Sequence, residues 1–318
     1  PKTLPAWQIA STLPVDAQSG FVAKDYTELL DAPFELGYFY PAEFAVQGVP
    51  HRLILSGLPQ QDWLAQGVDV PRLLRDIEAV CAYQMQFWGD VPFTHYDFML
   101  LITQNGYGGL EHTHSTALIA SPEHLPRLNH THQAQKYAEL LGLMSHEYFH
   151  AWNVKRLRPA AFTQTDYHQE HYTELLWFFE GFTAYYDDLC LLRTGLLDAQ
   201  GYLDGMAKTA TALQRSPGRQ VQSLAESSFD AWIKFYRADE NAPNSQVSYY
   251  GKGSLVAWLL DVRLRAQGQS LDGLMRRLWQ NYAHQPLTEE GLEAAMSRLT
   301  GLDLSVFFAA YIQGCVEL

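Results

Sequence analysis

The chain has 318 residues and a formal net charge of −13, long enough to bury a sizeable core in two or three packed units. A charge of that sign repels a phosphate backbone, and no Lys/Arg cluster is interleaved with aromatic residues, which excludes nucleic acid as an expected partner. No run approaches the roughly 18 consecutive apolar residues of a membrane-spanning helix, so no membrane span is expected.

Taken in chain order, the first 57 residues carry short extended runs, Gly37 to Tyr40 and Arg52 to Leu55, punctuated by Pro and Gly, which suits β-structure. Leu73, Leu74, Ile77, Cys81 and Met85 then recur at helical spacing, with Pro71 in the first turn and Gly89 closing the pattern. The apolar run Phe98 to Thr103 reads as a strand, with Thr116 to Ala120 as its neighbour. Two long helices are predicted over 133–154 and 171–192, flanking a polar loop. Beyond Gly201 the pattern is helical, with breaks at Pro217-Gly218, Ala242-Pro243-Asn244 and Gln285-Pro286.

Cys81, Cys190 and Cys315 are far apart and form no CxxC pair, so neither a disulfide framework nor a thiolate zinc site is expected. They read as buried thiols in a reducing compartment. The expected location is cytoplasmic, with a periplasmic or secreted one left open because the chain starts at Pro1 without a leader.

The chemistry concentrates on the two predicted helices. His146-Glu147-Tyr148-Phe149-His150 is an HExxH motif, and the i,i+4 spacing sets both imidazoles on one helical face where they can chelate one ion. Two imidazoles and a carboxylate suit a single zinc with one position left open, the arrangement of a catalytic site. Glu147 points beside that ion rather than at it, where it can take a proton from an attacking water. Zinc peptidases of the thermolysin type take a third ligand from a second helix. Glu180 is a lone carboxylate inside the apolar run Trp177 to Phe182, costly there unless it meets a cation. Glu174 is the rival, but at a helix start an acid is favourable without any metal. Asp187, seven residues after Glu180, shares its helical face and is a candidate to hold a ligand imidazole; a solvated residue beside Asp188 is the alternative.

Four segments together resemble the glycyl aminopeptidase family of zinc peptidases, gluzincins related to the aminopeptidase-N group. They are Gly108-Gly109-Leu110-Glu111-His112, His146 to Pro159 (HEYFHAWNVKRLRP), Glu174 to Asp188, and Tyr250-Gly251-Lys252-Gly253. The resemblance implies an α+β fold: a thermolysin-like zinc peptidase domain, small sheet plus zinc-binding helices, over 58–196, a mainly helical subdomain over 197–318, and the end of a β-region over 1–57. In aminopeptidase-N relatives a GxMEN segment on an edge strand supplies a Glu that binds the substrate's free α-amine. Gly109 to His112 is similar, with His in place of Asn, which implies that Glu111 grips the amine and that Gly109 and His112 border the substrate. The Tyr-x-Lys-Gly stretch implies that Tyr250 steadies the oxyanion, although Tyr249 is adjacent and the register could slip by one.

The activity so implied is release of an N-terminal residue, small such as Gly or Ala, from peptides with a free N-terminus. An endopeptidase or a catalytically weak peptide-binding module are the rivals. Family members usually carry a PDZ domain after this region, whereas here the chain stops at Gly314 to Leu318, as if cut short before it. His114 lies close to Glu111; His124, His130 and His132 read as solvated loop histidines.

Overall fold

The computed structural model describes residues 7–57, 67–128, 134–163 and 166–318. His130 and His132 lie outside the described residues. Two compact units emerge, one of residues 1–151 with 193–196 and one of residues 152–192 with 197–318. The division falls at 151/152 and around 192–197, not at 57/58, because the extended runs before residue 57 join the same sheet as those after residue 95.

The first unit begins with short ribbon strands β1 (Gln8–Ala10), β2 (Val15–Asp16) and β3 (Gly20–Phe21), the one-turn helix α1 (Tyr26–Leu30) and β4 (Glu35–Gly37). Its main sheet is built from β5 (Tyr40–Val46), β6 (Val49–Ser56), then, after helix α2 (Val70–Trp88), from β7 (Tyr96–Ile102), β8 (Gly108–Glu111) and β9 (Ser115–Ala120), in the order β5-β6-β7-β9-β8. The strand pairs β6/β7 and β7/β9 are parallel and the two outer pairs antiparallel. Central β7 is buried at all but one position, as expected of a strand covered on both faces. On one face Ile54 and Met99 cluster with Ala10 and Phe39.

Helix α2 ends where its sequence signals say. The Asp69 carboxylate accepts the Arg72 N–H (3.0 Å), Pro71 occupies the first turn, and Gly89 closes the helix in the left-handed conformation at φ 71°. Helix α3 (Ala134–Phe149) packs against α2, β8 and β9. It is shorter than the predicted 133–154, although the His150 N–H still reaches the His146 carbonyl (3.2 Å) and continues the helical pattern for one residue.

In the second unit β10 (Arg158–Pro159) pairs in parallel with β11 (Pro286–Leu287) and the rest is helical. The helices are α4 (Leu176–Phe179), α5 (Gly181–Thr194), whose last two residues count with the first unit, α6 (Ala199–Arg215), α7 (Leu224–Phe229), α8 (Ala242–Ser245), α9 (Tyr249–Arg265), α10 (Leu271–Tyr282), α11 (Glu289–Thr300) and α12 (Ser305–Tyr311). Helix α9 is the hub, packed on α4, α6, α7 and α10. The predicted helix over 171–192 starts five residues later than expected. The Thr173 hydroxyl takes the Leu175 N–H (3.2 Å), a local side-chain bond that competes with helix formation. The break expected at Ala242-Pro243-Asn244 is itself the single turn α8, with Pro243 at its start.

Among the described residues no helix is long and apolar enough to cross a membrane. Cys81 and Cys190 are buried as expected, whereas Cys315 is half-exposed.

Candidate metal centre

Helix α3 is held by buried polar bonds as well as by packing. Gln84 Nε2 donates to the Ser145 carbonyl (2.8 Å) and hydroxyl (2.9 Å), and the Tyr137 hydroxyl donates to Asp76 (2.7 Å). His51 Nδ1–H donates to the Val49 carbonyl (2.9 Å), which leaves Nε2 to accept the Tyr148 hydroxyl (2.9 Å). Burial pushes the His51 pKa down to about 4, against the smaller upward pull of the Val49 carbonyl, so this imidazole is neutral at pH 7. A helix pinned in this way presents fixed side chains from its last turn.

Those side chains are the motif residues. The His146 and His150 rings stand edge to face with centroids 4.7 Å apart, and His150 is fully buried. Among the described residues one group of three could hold a metal ion: His146, His150 and Glu180, whose ligand atoms lie within 4.8 Å of one another. Two imidazole nitrogens and a carboxylate oxygen brought this close could hold one ion, and the donor set suits zinc. Glu174 is no rival. It is exposed, precedes α4, and its N–H faces the Glu289 carboxylate (3.4 Å).

Glu147 is 5 % exposed and lies against the backbone of the edge strand β8. A Cβ placed on Gly109 would stand 2.3 Å from Glu147 Oε1 and 2.5 Å from its Cδ. Only glycine leaves room for this acid. Two positions along the same strand, Glu111 is half-buried opposite Thr116.

In the second unit Glu180 sits within a continuous helical path. Its N–H reaches the Leu176 carbonyl (2.7 Å) and its carbonyl takes the Ala184 N–H (2.8 Å). The Phe179 carbonyl accepts the Thr183 hydroxyl (2.6 Å) and Asn153 Nδ2 (3.2 Å), so Asn153 ties the stretch after the HExxH motif to the turn that carries Glu180. Helices α4/α5 and α9 cross at two glycines: a Cβ on Gly181 would stand 2.6 Å from the Gly253 Cα, and one on Gly253 2.8 Å from the Trp177 carbonyl oxygen. This crossing brings Tyr250 under the influence of Glu180. Burial first, then the Glu180 charge, pushes the Tyr250 pKa far above that of an ordinary phenol. At Tyr249 burial again leads, but Glu180 acts only after Tyr236. Tyr250 is therefore the tyrosine that senses Glu180 more directly.

Residues 139–256 match the M61 glycyl aminopeptidase family. The resemblance read in the motifs is borne out. The chain is 36% identical to an aminopeptidase N family protein from Idiomarina loihiensis, covering 99% of this chain and 54% of that one, with a TM-score of 0.93. An M1 zinc metallopeptidase from Deinococcus radiodurans shares the fold at 16% identity, over 99% of this chain and 63% of that one, with a TM-score of 0.64. A mutant of that M1 enzyme bound to a Tyr-Ser-Ala substrate aligns over 98% of this chain and 62% of its own, at 15% identity and a TM-score of 0.60. The chain thus spans between about half and two thirds of the length of these structures. A comparison with curated proteins gave no match. The expected α+β class holds, and the fold is that of the M1 zinc metallopeptidase structures.

Within this M61-like frame the remaining motif residues fall as follows. Asp187 is half-buried on α5, two turns after Glu180. His112 is buried with Nδ1 3.4 Å from Asp31 Oδ1, whose other oxygen takes the Thr113 N–H (2.8 Å). The ring therefore fastens the β8–β9 turn to the segment after α1. His114 stacks on His95 with centroids 5.2 Å apart. His124, read as solvated, is instead buried: Nδ1 accepts the Ser121 N–H (3.2 Å) and Nε2 faces Glu139 (3.5 Å). Its partners three and fifteen residues away satisfy the ring internally, which removes the cost of burying it. Asn153 and the Gly181/Gly253 crossing escaped the sequence reading. The signal for the crossing was the glycine placed directly after Glu180 and again after Lys252.

Proposed function

We propose that this chain is the catalytic part of a zinc metallo-aminopeptidase that removes a small N-terminal residue, such as Gly or Ala, from peptides with a free N-terminus. The observation that carries this reading is Glu147 pressed against Gly109 on the edge strand that also bears Glu111, with Glu147 between two imidazoles that group with Glu180.

His146, His150 and Glu180 would hold one zinc ion, and Asp187 is the candidate to orient a ligand. When bound, zinc supplies a Lewis acid that polarises the scissile carbonyl and acidifies the attacking water. Glu147 accepts the proton of that water and returns it to the leaving amine. Tyr250, kept protonated by burial and by the Glu180 charge, donates a hydrogen bond to the oxyanion. Glu111 receives the substrate ammonium in a charge-assisted contact and so fixes the first peptide carbonyl at the reacting position. Glycine at 109 lets a peptide backbone lie close to this strand.

The discriminating experiment compares an alanyl amide with its N-acetyl form, before and after Glu111→Ala. Losing one charge-assisted contact should lower kcat/KM for the free amine by about 2–3 kcal/mol, roughly 30- to 150-fold. Action on the acetylated form should not change. If the unmodified enzyme cut both forms equally, the exopeptidase assignment would fall and a zinc endopeptidase would remain.

A further inference from the structure

Glu111 stands at the turn end of β8, opposite Thr116 in the last pair of the β8/β9 ladder. The other end of the strand is Gly108-Gly109, residues that restrain a backbone least, and β8 pairs on one side only. The restraint on Glu111 therefore comes from β9 and from the turn that follows. In that turn the His112 N–H closes the hairpin on the Ser115 carbonyl (2.8 Å). The Asp31 carboxylate reaches the same turn from the segment after α1: its Oδ2 accepts the Thr113 N–H (2.8 Å) and its Oδ1 faces His112 Nδ1 (3.4 Å).

Helix α1 does not account for this acid. Asp31 caps the C-terminus of that helix, its own N–H bound to the Thr27 carbonyl (3.0 Å), and a helix C-terminus disfavours a negative charge. The same bond gives the carboxylate a fixed base. A carboxylate that accepts a backbone N–H makes one of the stronger polar contacts, and with His112 only 8 % exposed this one is partly shielded from water. We propose that Asp31 is a positioning residue for recognition of the substrate amine: by holding the turn one and two residues beyond Glu111, it fixes the place of the carboxylate that receives the ammonium. The inference rests on the reading of Glu111 as the amine-binding residue. It requires no contact between Asp31 and the substrate.

The test measures an alanyl amide and its N-acetyl form with Asp31→Ala, Asp31→Asn, Glu111→Ala and the variant carrying both alanines, recording zinc content and the denaturant midpoint of each. Where the acetylated form is not cut, its inhibition constant is compared instead. Asp31→Ala should lower kcat/KM for the free amine about tenfold, as a displaced binding group does, and leave the acetylated form unchanged. On the Glu111→Ala background the same substitution should have no further effect, because it acts through Glu111. Asp31→Asn keeps an oxygen that can accept the Thr113 N–H and should recover to within about threefold of the unmodified enzyme. Asp31→Ser, too short to reach Thr113, takes the place of Asp31→Ala if alanine gives no folded protein. The proposal is overturned if Asp31→Ala slows both substrates alike, or if its loss is repeated in full on the Glu111→Ala background, as a merely structural role would have it. A silent Asp31→Ala beside a damaging Glu111→Ala overturns this proposal alone. A silent Glu111→Ala overturns the reading of Glu111 and the proposal with it.

Discussion

Replacing Gly109 by alanine tests whether β8 fixes the position of the general base. The added Cβ would lie 2.3 Å from Glu147 Oε1, whereas ordinary contacts begin at 3.4 Å, so either the carboxylate or the strand must move by about 1 Å. Glu147 is 5 % exposed and cannot swing freely into solvent. A misplacement of about 1 Å in a reacting group costs on the order of 100-fold in rate, or about 3 kcal/mol in the barrier. Overpacking should also remove about 1–3 kcal/mol of stability. Steady-state kinetics on an alanyl amide, metal analysis and denaturant unfolding separate these effects. The expected result is a folded protein with unchanged zinc content and kcat lower by roughly 10²-fold. Retention of kcat within about threefold in a folded, zinc-loaded variant would refute the argument, because a correctly placed base would then tolerate the methyl group.

At the crossing of α4 and α9, Gly253→Ala would set a Cβ 2.8 Å from the Trp177 carbonyl oxygen and 2.9 Å from the Gly181 Cα, backbone atoms that cannot rotate away. Urea unfolding should show a loss of about 1–3 kcal/mol or more; an unchanged midpoint would mean that the helices part without cost. His51 has its pKa pushed down to about 4 in the folded state against an unfolded value of 6.5, so stability is lost as pH falls from about 6.5 towards 4. Between pH 7.5 and 5 the metal-free protein should lose about 2 kcal/mol on this account, and His51→Gln should flatten the profile by that amount. Tyr250→Phe removes one hydroxyl and should lower kcat by about 10²–10³ with little change in substrate binding, while Tyr249→Phe should be nearly silent. The opposite pattern would move the oxyanion contact to Tyr249.

Much of this was legible because local chemistry and final environment agree. Pro71 and Gly89 marked the ends of α2, and a lone acid in an apolar run marked Glu180, which groups with His146 and His150. What stayed hidden depends on partners distant in sequence. Nothing local says that Asn153 reaches the Phe179 carbonyl. The parallel pairing of β6 with β7 and of β7 with β9 brings together strands joined by long connections, which strand-forming composition alone does not order. The helix predicted from residue 171 begins only at Leu176, because the Thr173 hydroxyl takes the Leu175 N–H before the apolar periodicity can take hold.

The edge strand β8 also bears on how the protein behaves at high concentration. An outer strand with one unpaired edge is a template on which any extended chain can pair, and that includes the same strand of another copy. Here the strand is four residues long, contains two glycines, and carries an exposed Leu110. Its shortness and weak intrinsic strand preference limit pairing between copies, while a short peptide pays little to lie along it. Lengthening β8 or replacing Gly108 and Gly109 with β-branched residues would therefore raise the aggregation tendency of the native protein along with closing the space beside Glu147.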